Sequence, residues 1–230
     1  VECGQTQGFY YIGKNKAFAF DSALPFGLNS RQHNAWLYNG GGLELVRELY
    51  APHNCTFFPA GNSGAQMGGW YRREIHSLAD MKGLKVRIPG IAGEIAARLG
   101  AVPQTIPGAD IYPALEKGTI DAAEWVGPYD DEKLGFYRVA PHYYFPGWWE
   151  GSSCISFIVN LKQWNALPPA YREAFEVAAA EANVRMVAAY DAKNPQALAR
   201  LVAAGVQLHP YPKDVLEAAL AAAEALYDEE

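Results

Sequence analysis

The stretch SLADMKGLKVRIPGIAGEIAARLGAVPQTIPGADIYPALEKGTIDAAEW, residues 77–125, carries the most regular pattern in the chain and decides its fold class. Ser77-Leu78-Ala79-Asp80 has the form of a capping box, with Asp in place of the usual Glu, and predicts a single turn that stops at Gly83. Leu84 to Ile88 alternates Leu-Lys-Val-Arg-Ile, the two-residue period of a strand, and Pro89-Gly90 ends it. Ala92 to Leu99 predicts a short helix closed by Gly100, and Val102 to Ile106 an extended segment. Asp110 caps a helix to Lys117, with Gly118 at its C-terminus, and Thr119 to Trp125 reads as a strand. Strand, helix, strand, helix, strand in this order implies right-handed crossovers and a parallel sheet, hence an α/β protein.

Outward from that unit the pattern changes. Toward the N-terminus, short elements sit among Gly, Pro and aromatic residues. Phe9 to Ile12 reads as a strand, Arg31 to Tyr50 as a helix broken at Gly40-Gly41-Gly42, Cys55 to Phe58 as a strand ending at Pro59, and Met67 to Arg72 as another. Toward the C-terminus, Ser156 to Asn160 reads as a strand. A long amphipathic helix begins at Pro168 and runs to about Ala192; Asn194-Pro195 restarts a helix to Ala204. Val206 to Leu208 is a short strand, and Asp214 caps a last helix to Tyr227. No internal repeat or flexible linker is evident.

The chain has 230 residues, is 50% hydrophobic and carries a formal net charge of -6. It is long enough for one large domain or two small ones with a proper core. The acidic balance and the lack of a long basic run argue against nucleic acid and against a polybasic membrane patch. No apolar stretch reaches the length of a transmembrane helix, so the chain reads as not membrane-embedded. Three cysteines, Cys3, Cys55 and Cys154, lie far apart; three inert thiols and one disulfide with a thiol left over both stand. The five histidines show no zinc-type spacing.

Three loci have the residue types for chemistry. Arg87 sits near a strand end, where its planar fork suits a carboxylate or phosphate; a surface arginine is the plain alternative. Glu124, between Ala123 and Trp125, and Glu150, after Trp148-Trp149, are carboxylates beside apolar residues, costly to bury unless paired or bound to a cation. A hard-cation site, a general acid/base pair, and two unrelated rim carboxylates all fit that pattern. Asn62 and Gln66 lie in the small-residue segment PAGNSGAQMGGW, where backbone can approach a ligand closely; it is neither a P-loop nor a dinucleotide fingerprint. Asp130, Asp131 and Glu132 follow Gly-Pro and read as charges on a solvated helix start. Fourteen tyrosines and six tryptophans, several near these loci, point to an aromatic-walled pocket or to core filling.

Taken together the motifs resemble one family, the periplasmic solute-binding subunits of TRAP transporters, the DctP-like group. SLADMKGLKVRIPG resembles the family's segment bearing the arginine for a substrate carboxylate, and GADIYPALEKGTIDAAEW the stretch that follows it. GFYYIGK, AFDSALPFGLNSRQHNAW, GNSGAQMGGW, YPALEKGTIDAAEWVGPYDDEKLGFY and YYFPGWWEG are similar to the branch that binds 2-oxo acids or lactate. The resemblance implies two α/β lobes around a cleft, lobe I at 1–63 and 153–230 and lobe II at 64–152, with a lobe-spanning helix at about 168–192. It assigns Arg87 to the substrate carboxylate, and Asn62 and Tyr11 to hydrogen bonds with the substrate. It assigns a bridging metal, sodium or calcium, to Gln66, Glu124, the backbone carbonyl of Trp125, and Glu150.

By the same resemblance, family members carry a β-α-β region before the point matching Val1 and a further helix after the point matching Glu230. The chain therefore reads as a fragment with lobe I incomplete, an exposed edge that invites self-association, and a signal peptide outside it. The implied protein is a periplasmic receptor of a Gram-negative bacterium, not an enzyme. It delivers pyruvate, another 2-oxo acid or lactate to TRAP permease subunits, and the family raises a homodimer. The alternative from a different class is a metal-dependent lyase or aldolase acting on 2-oxo acids, built on the same arginine, metal and glutamates.

Overall fold

The computed structural model describes residues 1–229. In chain order its regular elements are β1 (Cys3–Thr6), α1 (Ser30–Asn39), α2 (Gly42–Tyr50), β2 (Cys55–Asn62), β3 (Gly69–Tyr71), β4 (Lys85–Arg87), α3 (Gly90–Arg98), β5 (Val102–Gln104), α4 (Gly108–Glu116), β6 (Ala122–Ala123), α5 (Pro128–Leu134), β7 (His142–Phe145), β8 (Cys154–Asn160), α6 (Leu161–Ala166), α7 (Pro169–Ala203), β9 (Gln207–Pro210) and α8 (Lys213–Glu229), with short 3-10 turns between them. The chain divides into two compact units. The first takes Val1–Ala65 and Gly151–Asp191; the second takes Gln66–Glu150 and the chain from Ala192 onward. The resemblance had put everything from 153 on in lobe I. The part from Ala192 on groups with the second unit because β9 pairs with β7 and α8 lies against α3.

The first unit is built on an antiparallel sheet in the order β1-β8-β2. Its core packs Phe18, Leu37, Val46, Tyr50 and Phe57 under α1 and α2, and a second cluster gathers Phe58, Val159, Trp164 and Ala179. β2 runs on past Pro59 to Asn62, where the sequence predicted an end. It is an edge strand, so the missing proline N–H costs no ladder bond, and the register shifts between Pro59 and Gly61. Phe9 to Ile12, predicted as a strand, is a 3-10 turn over Gly8–Tyr11. Its donors are used locally: Asp21 Oδ1 accepts from the Gly8 N–H at 3.0 Å, and Gln7 O accepts from Tyr10 N at 3.3 Å. Cys3, Cys55 and Cys154 are free thiols.

The second unit is built on a mixed sheet in the order β5-β4-β6-β3-β7-β9. β5, β4 and β6 are mutually parallel, as the 77–125 pattern requires, while β3 runs antiparallel to both β6 and β7. The Ser77/Asp80 capping box is present, starting a 3-10 turn at Leu78–Met81. Helix α4 starts earlier than predicted, at Gly108, which places Asp110 in its first turn instead of at the cap. The predicted strand 119–125 keeps only Ala122–Ala123 as ladder, although Asp121 N and Glu124 N still donate to Lys85 O and Arg87 O. The core gathers Trp70, Ile111, Leu115, Ile120, Phe136, Tyr143 and Leu201. Helix α7 passes through Pro195, where the sequence predicted a restart. The proline forfeits one helical hydrogen bond, and burial of Ala197 and Leu201 on the next turns holds the helix together.

Candidate functional site

Strand direction in the second unit explains why residues from 66 to 150 meet. Because β3 is antiparallel to β6 and β7, its start lies beside their ends. Gln66 precedes β3, Glu124 and Trp125 follow β6, and Glu150 follows β7. Arg87 closes β4, parallel to β6 and in register with Ala123. One end of one sheet therefore collects an arginine, an amide and two carboxylates.

Arg87 and Glu124 are ion-paired through Nη1 and Oε1. The same nitrogen reaches the Glu124 carbonyl at 3.4 Å, and Arg87 Nε donates to Ile106 O at 3.2 Å. The Trp125 ring lies 5.1 Å from the guanidinium carbon, a cation–π contact the sequence reading missed because it used only that residue's carbonyl. Backbone geometry brings the strands this close. Gly69 has φ +98, and a Cβ there would lie 2.7 Å from Ala123 O. Burial pushes the Glu124 carboxyl above the ordinary carboxylate range and the negative charge of Asp131 adds to this, while Arg87 pulls it down.

Gln66 Nε2 donates to Glu150 Oε2 at 2.5 Å. The two are held by their backbones: Gly147 N donates to Gln66 O at 3.1 Å, and a Cβ at Gly147 would lie 2.7 Å from that oxygen. Met67 N donates to Val126 O at 3.3 Å, tying the residue after Gln66 to the residue after Trp125. Since the Gln66 amide nitrogen is engaged by Glu150, its oxygen is the atom left to offer a cation. A cation held here by the Gln66 amide, the Glu124 and Glu150 carboxylates and the Trp125 carbonyl would meet only oxygen donors. That chemistry fits a hard cation and not a soft one.

Tyr11 and Asn62 belong to the first unit. Asn62 is buried; its Oδ1 accepts from Gly64 N at 2.8 Å and its Nδ2 lies 3.5 Å from Ser152 Oγ. Tyr11 is 37% exposed, and its hydroxyl accepts from Thr6 Oγ1 at 3.0 Å.

Asp131 corrects the sequence reading. It is 1% exposed, not on a solvated face. Oδ2 accepts from Trp70 Nε1 at 2.9 Å and from Tyr143 OH at 2.8 Å, and Oδ1 accepts from Val126 N at 3.2 Å and Gly127 N at 3.1 Å. Trp70 and Tyr143 stack at 3.8 Å, so this carboxylate joins β3, β7 and the Trp125–Gly127 turn. Burial pushes its carboxyl up to about 6 against the pull of those hydrogen bonds. Asp130 and Glu132 stay at the surface, the latter paired with Arg200 at 2.7 Å.

An α/β chain that gathers an arginine, an amide and two carboxylates at one sheet end is matched by solved structures of one class, the TRAP-type solute receptors. The TRAP transporter solute-binding protein of Bordetella bronchiseptica RB50, a mixed-occupancy dimer with copurified calcium and picolinate, matches at TM-score 0.97 and 58% identity, over 100% of this chain and 68% of that one. A TRAP periplasmic solute-binding protein of Pseudoalteromonas atlantica T6c, with bound sodium and pyruvate, matches at TM-score 0.95 and 40% identity, over 99% of this chain and 70% of that one. The chain belongs to the bacterial extracellular solute-binding proteins, family 7 (DctP), whose model matches residues 1–230. It is 54% identical, over 95% of its length, to the monocarboxylate 2-oxoacid-binding periplasmic protein of Nostoc sp., and spans 60% of that relative.

Proposed function

We propose that this chain is the substrate-binding part of an extracytoplasmic TRAP receptor for small 2-oxo or 2-hydroxy monocarboxylates, pyruvate and lactate among them, held with a bridging hard cation. The supporting observation is the meeting of Arg87 with the oxygen donors of Gln66, Glu124 and Glu150 at one end of the second unit's sheet. Relatives of 40% identity and more have calcium with picolinate, or sodium with pyruvate, and the Nostoc relative is described as binding monocarboxylate 2-oxoacids.

In this reading Arg87 takes the substrate carboxylate, exchanging one anionic partner for another. Glu124, Glu150, Gln66 and the Trp125 carbonyl hold the cation, which when bound offers a chelate to a carboxylate oxygen and the adjacent 2-oxygen. A plain acid lacks that second oxygen, and this is the source of selectivity. The roles of Asn62 and Tyr11 as hydrogen-bond partners of the acid rest on the family resemblance. The receptor stands in the periplasm of a Gram-negative cell and hands its ligand to TRAP permease subunits. No helix among the described residues is long and apolar enough to cross a membrane. The receptor binds without turnover; the lyase reading gains no support from the relatives described above, all of them solute-binding proteins.

Calorimetry on the chain stripped with a chelator and exchanged into sodium-free buffer tests this. Pyruvate is expected to bind when calcium or sodium is restored and to fail without either, with acetate much weaker. Equal pyruvate binding with and without cation would remove the bridging metal, and conversion of pyruvate to product would remove the receptor reading.

A further inference from the structure

The second unit carries another group of metal-ligating side chains, on the far strand pair of its sheet. Glu74, His142 and His209 each offer a ligand atom within 4.8 Å of the others. No sequence motif announces them. His142 opens β7 and His209 sits in β9, two residues along from Gln207, the register partner of His142. Residues two apart on a strand share a face, so the parallel pairing puts both imidazoles on one side of the sheet. His142 Nδ1 and His209 Nε2 are 3.1 Å apart, and His209 Nδ1 lies 3.4 Å from Glu74 Oε1.

The loop that brings Glu74 is pinned. Between Glu74 and His76, Ile75 is buried, its N–H donating to Tyr144 OH at 2.6 Å and its carbonyl accepting from that hydroxyl at 3.2 Å. Asp80 Oδ2 accepts from His76 N at 2.9 Å and Ser77 N at 3.1 Å, fixing the other side of the loop. His76 Nδ1 is itself 3.7 Å from Glu74 Oε1. The Tyr144 ring stacks on His209 with centroids 5.1 Å apart, which orients that imidazole.

We infer that Glu74, His142 and His209 form a divalent transition-metal site of the zinc class, distinct from the oxygen-only set at Gln66, Glu124 and Glu150. Two imidazoles and one carboxylate suit zinc, whereas the hard-cation set has no nitrogen. Tetrahedral zinc places neighbouring ligand atoms about 3.3 Å apart, and one nitrogen of each imidazole and a Glu74 oxygen already lie within 4.8 Å of one another. The group tightens to that spacing through rotation of the exposed Glu74 side chain and the half-buried His142 and His209. Water fills the fourth position, or His76 swings in. Because β9 is the edge strand of the sheet, a bound ion clips that edge to β7 and to the loop after β3.

Zinc titration of the full chain against a chromophoric chelator, in excess calcium, tests the site. One equivalent is expected to bind at micromolar zinc and to raise the thermal midpoint. His142→Asn and His209→Asn are expected to abolish binding, and Glu74→Gln to weaken it about tenfold or more. Glu150→Gln is expected to leave it unchanged. Zinc affinity unaltered by the histidine changes, or lost in Glu150→Gln, would overturn the inference. On the unsubstituted chain cobalt(II) is expected to give the intense visible bands of a tetrahedral centre, bleached by zinc. A weak octahedral spectrum overturns the inference without requiring any variant to fold.

Discussion

Arg87 and Glu124 form an ion pair whose side chains are only 5% and 6% exposed. A pair that dry owes little of its worth to Coulomb attraction, because desolvating both charges costs about as much. Its role is to keep two charges at a strand end where neither is tolerable alone. Either partner is then free to turn to a ligand only when that ligand supplies the missing charge: a carboxylate for Arg87, a cation for Glu124.

Two substitutions of Arg87 separate binding from folding. Arg87→Ala strands the Glu124 carboxylate and is expected to destabilise the chain by about 3–5 kcal/mol. Arg87→Lys keeps the charge opposite Glu124 and is expected to fold. It loses the planar fork, so pyruvate binding should weaken about 10–100-fold by calorimetry. Unchanged affinity in the lysine variant would place the acid elsewhere.

The charge count favours calcium over sodium. Arg87, Glu124 and Glu150 together leave one net negative charge, and an incoming carboxylate makes two. A divalent ion cancels both; a monovalent ion cancels one. A unit charge at about 4 Å and an effective dielectric of about 20 is worth about 4 kcal/mol before desolvation. Pyruvate is therefore expected to bind at least about tenfold tighter in calcium than in sodium, measured on the stripped chain at matched ionic strength. Equal affinities would mean that Glu150 stays outside the cation's shell.

Asp131 joins four donors, two of them aromatic side chains beneath the site. Asp131→Ala leaves all four without their acceptor and is expected to cost about 3–5 kcal/mol in urea unfolding. Asp131→Asn keeps one oxygen for the Val126 and Gly127 N–H groups but turns an NH2 toward the Trp70 indole, and should cost less. Alanine no worse than asparagine would deny the carboxylate this role.

How much of this the sequence carried depends on how local each signal is. The 77–125 pattern is a run of short-range signals, and its turns, helices and parallel strands are all present. Glu124 and Arg87 were legible as candidates because a charge among apolar neighbours at a strand end stands out. Asp131 was not, since Asp130 and Glu132 on either side do face solvent, and the three look alike until helix phase and the Trp70–Tyr143 stack decide which one is buried. The Glu74, His142 and His209 group was invisible for a related reason. Its members are 67 and 68 residues apart, and the β7–β9 register together with the loop after β3 brings them together. Helix α7 defied a sound local rule, because the burial of Ala197 and Leu201 outweighed the break that Pro195 suggests.

Asp21 in the first unit makes stability depend on pH with a sign opposite to that of a surface salt bridge. It is fully buried; Oδ2 accepts from Tyr50 OH at 2.5 Å and Oδ1 from Gly8 N at 3.0 Å. The Cys154 thiol is nearby and is itself pushed up by burial and by Asp21. Burial pushes the Asp21 carboxyl from 3.8 up to about 7, the two hydrogen bonds opposing it. Between those values the folded chain keeps a proton that the unfolded chain has released. The group's contribution is thus fully present below its unfolded value and is lost as pH rises through about 7. The slope reaches about 1.4 kcal/mol per pH unit inside that window. Asp21→Asn keeps the acceptor for Gly8 and turns its amide to donate to the Tyr50 oxygen, so it should fold. Its urea midpoint is expected to fall less steeply than the parent's between about pH 5 and about pH 7. Parallel slopes in the two proteins would show that Asp21 is already ionised in the folded state.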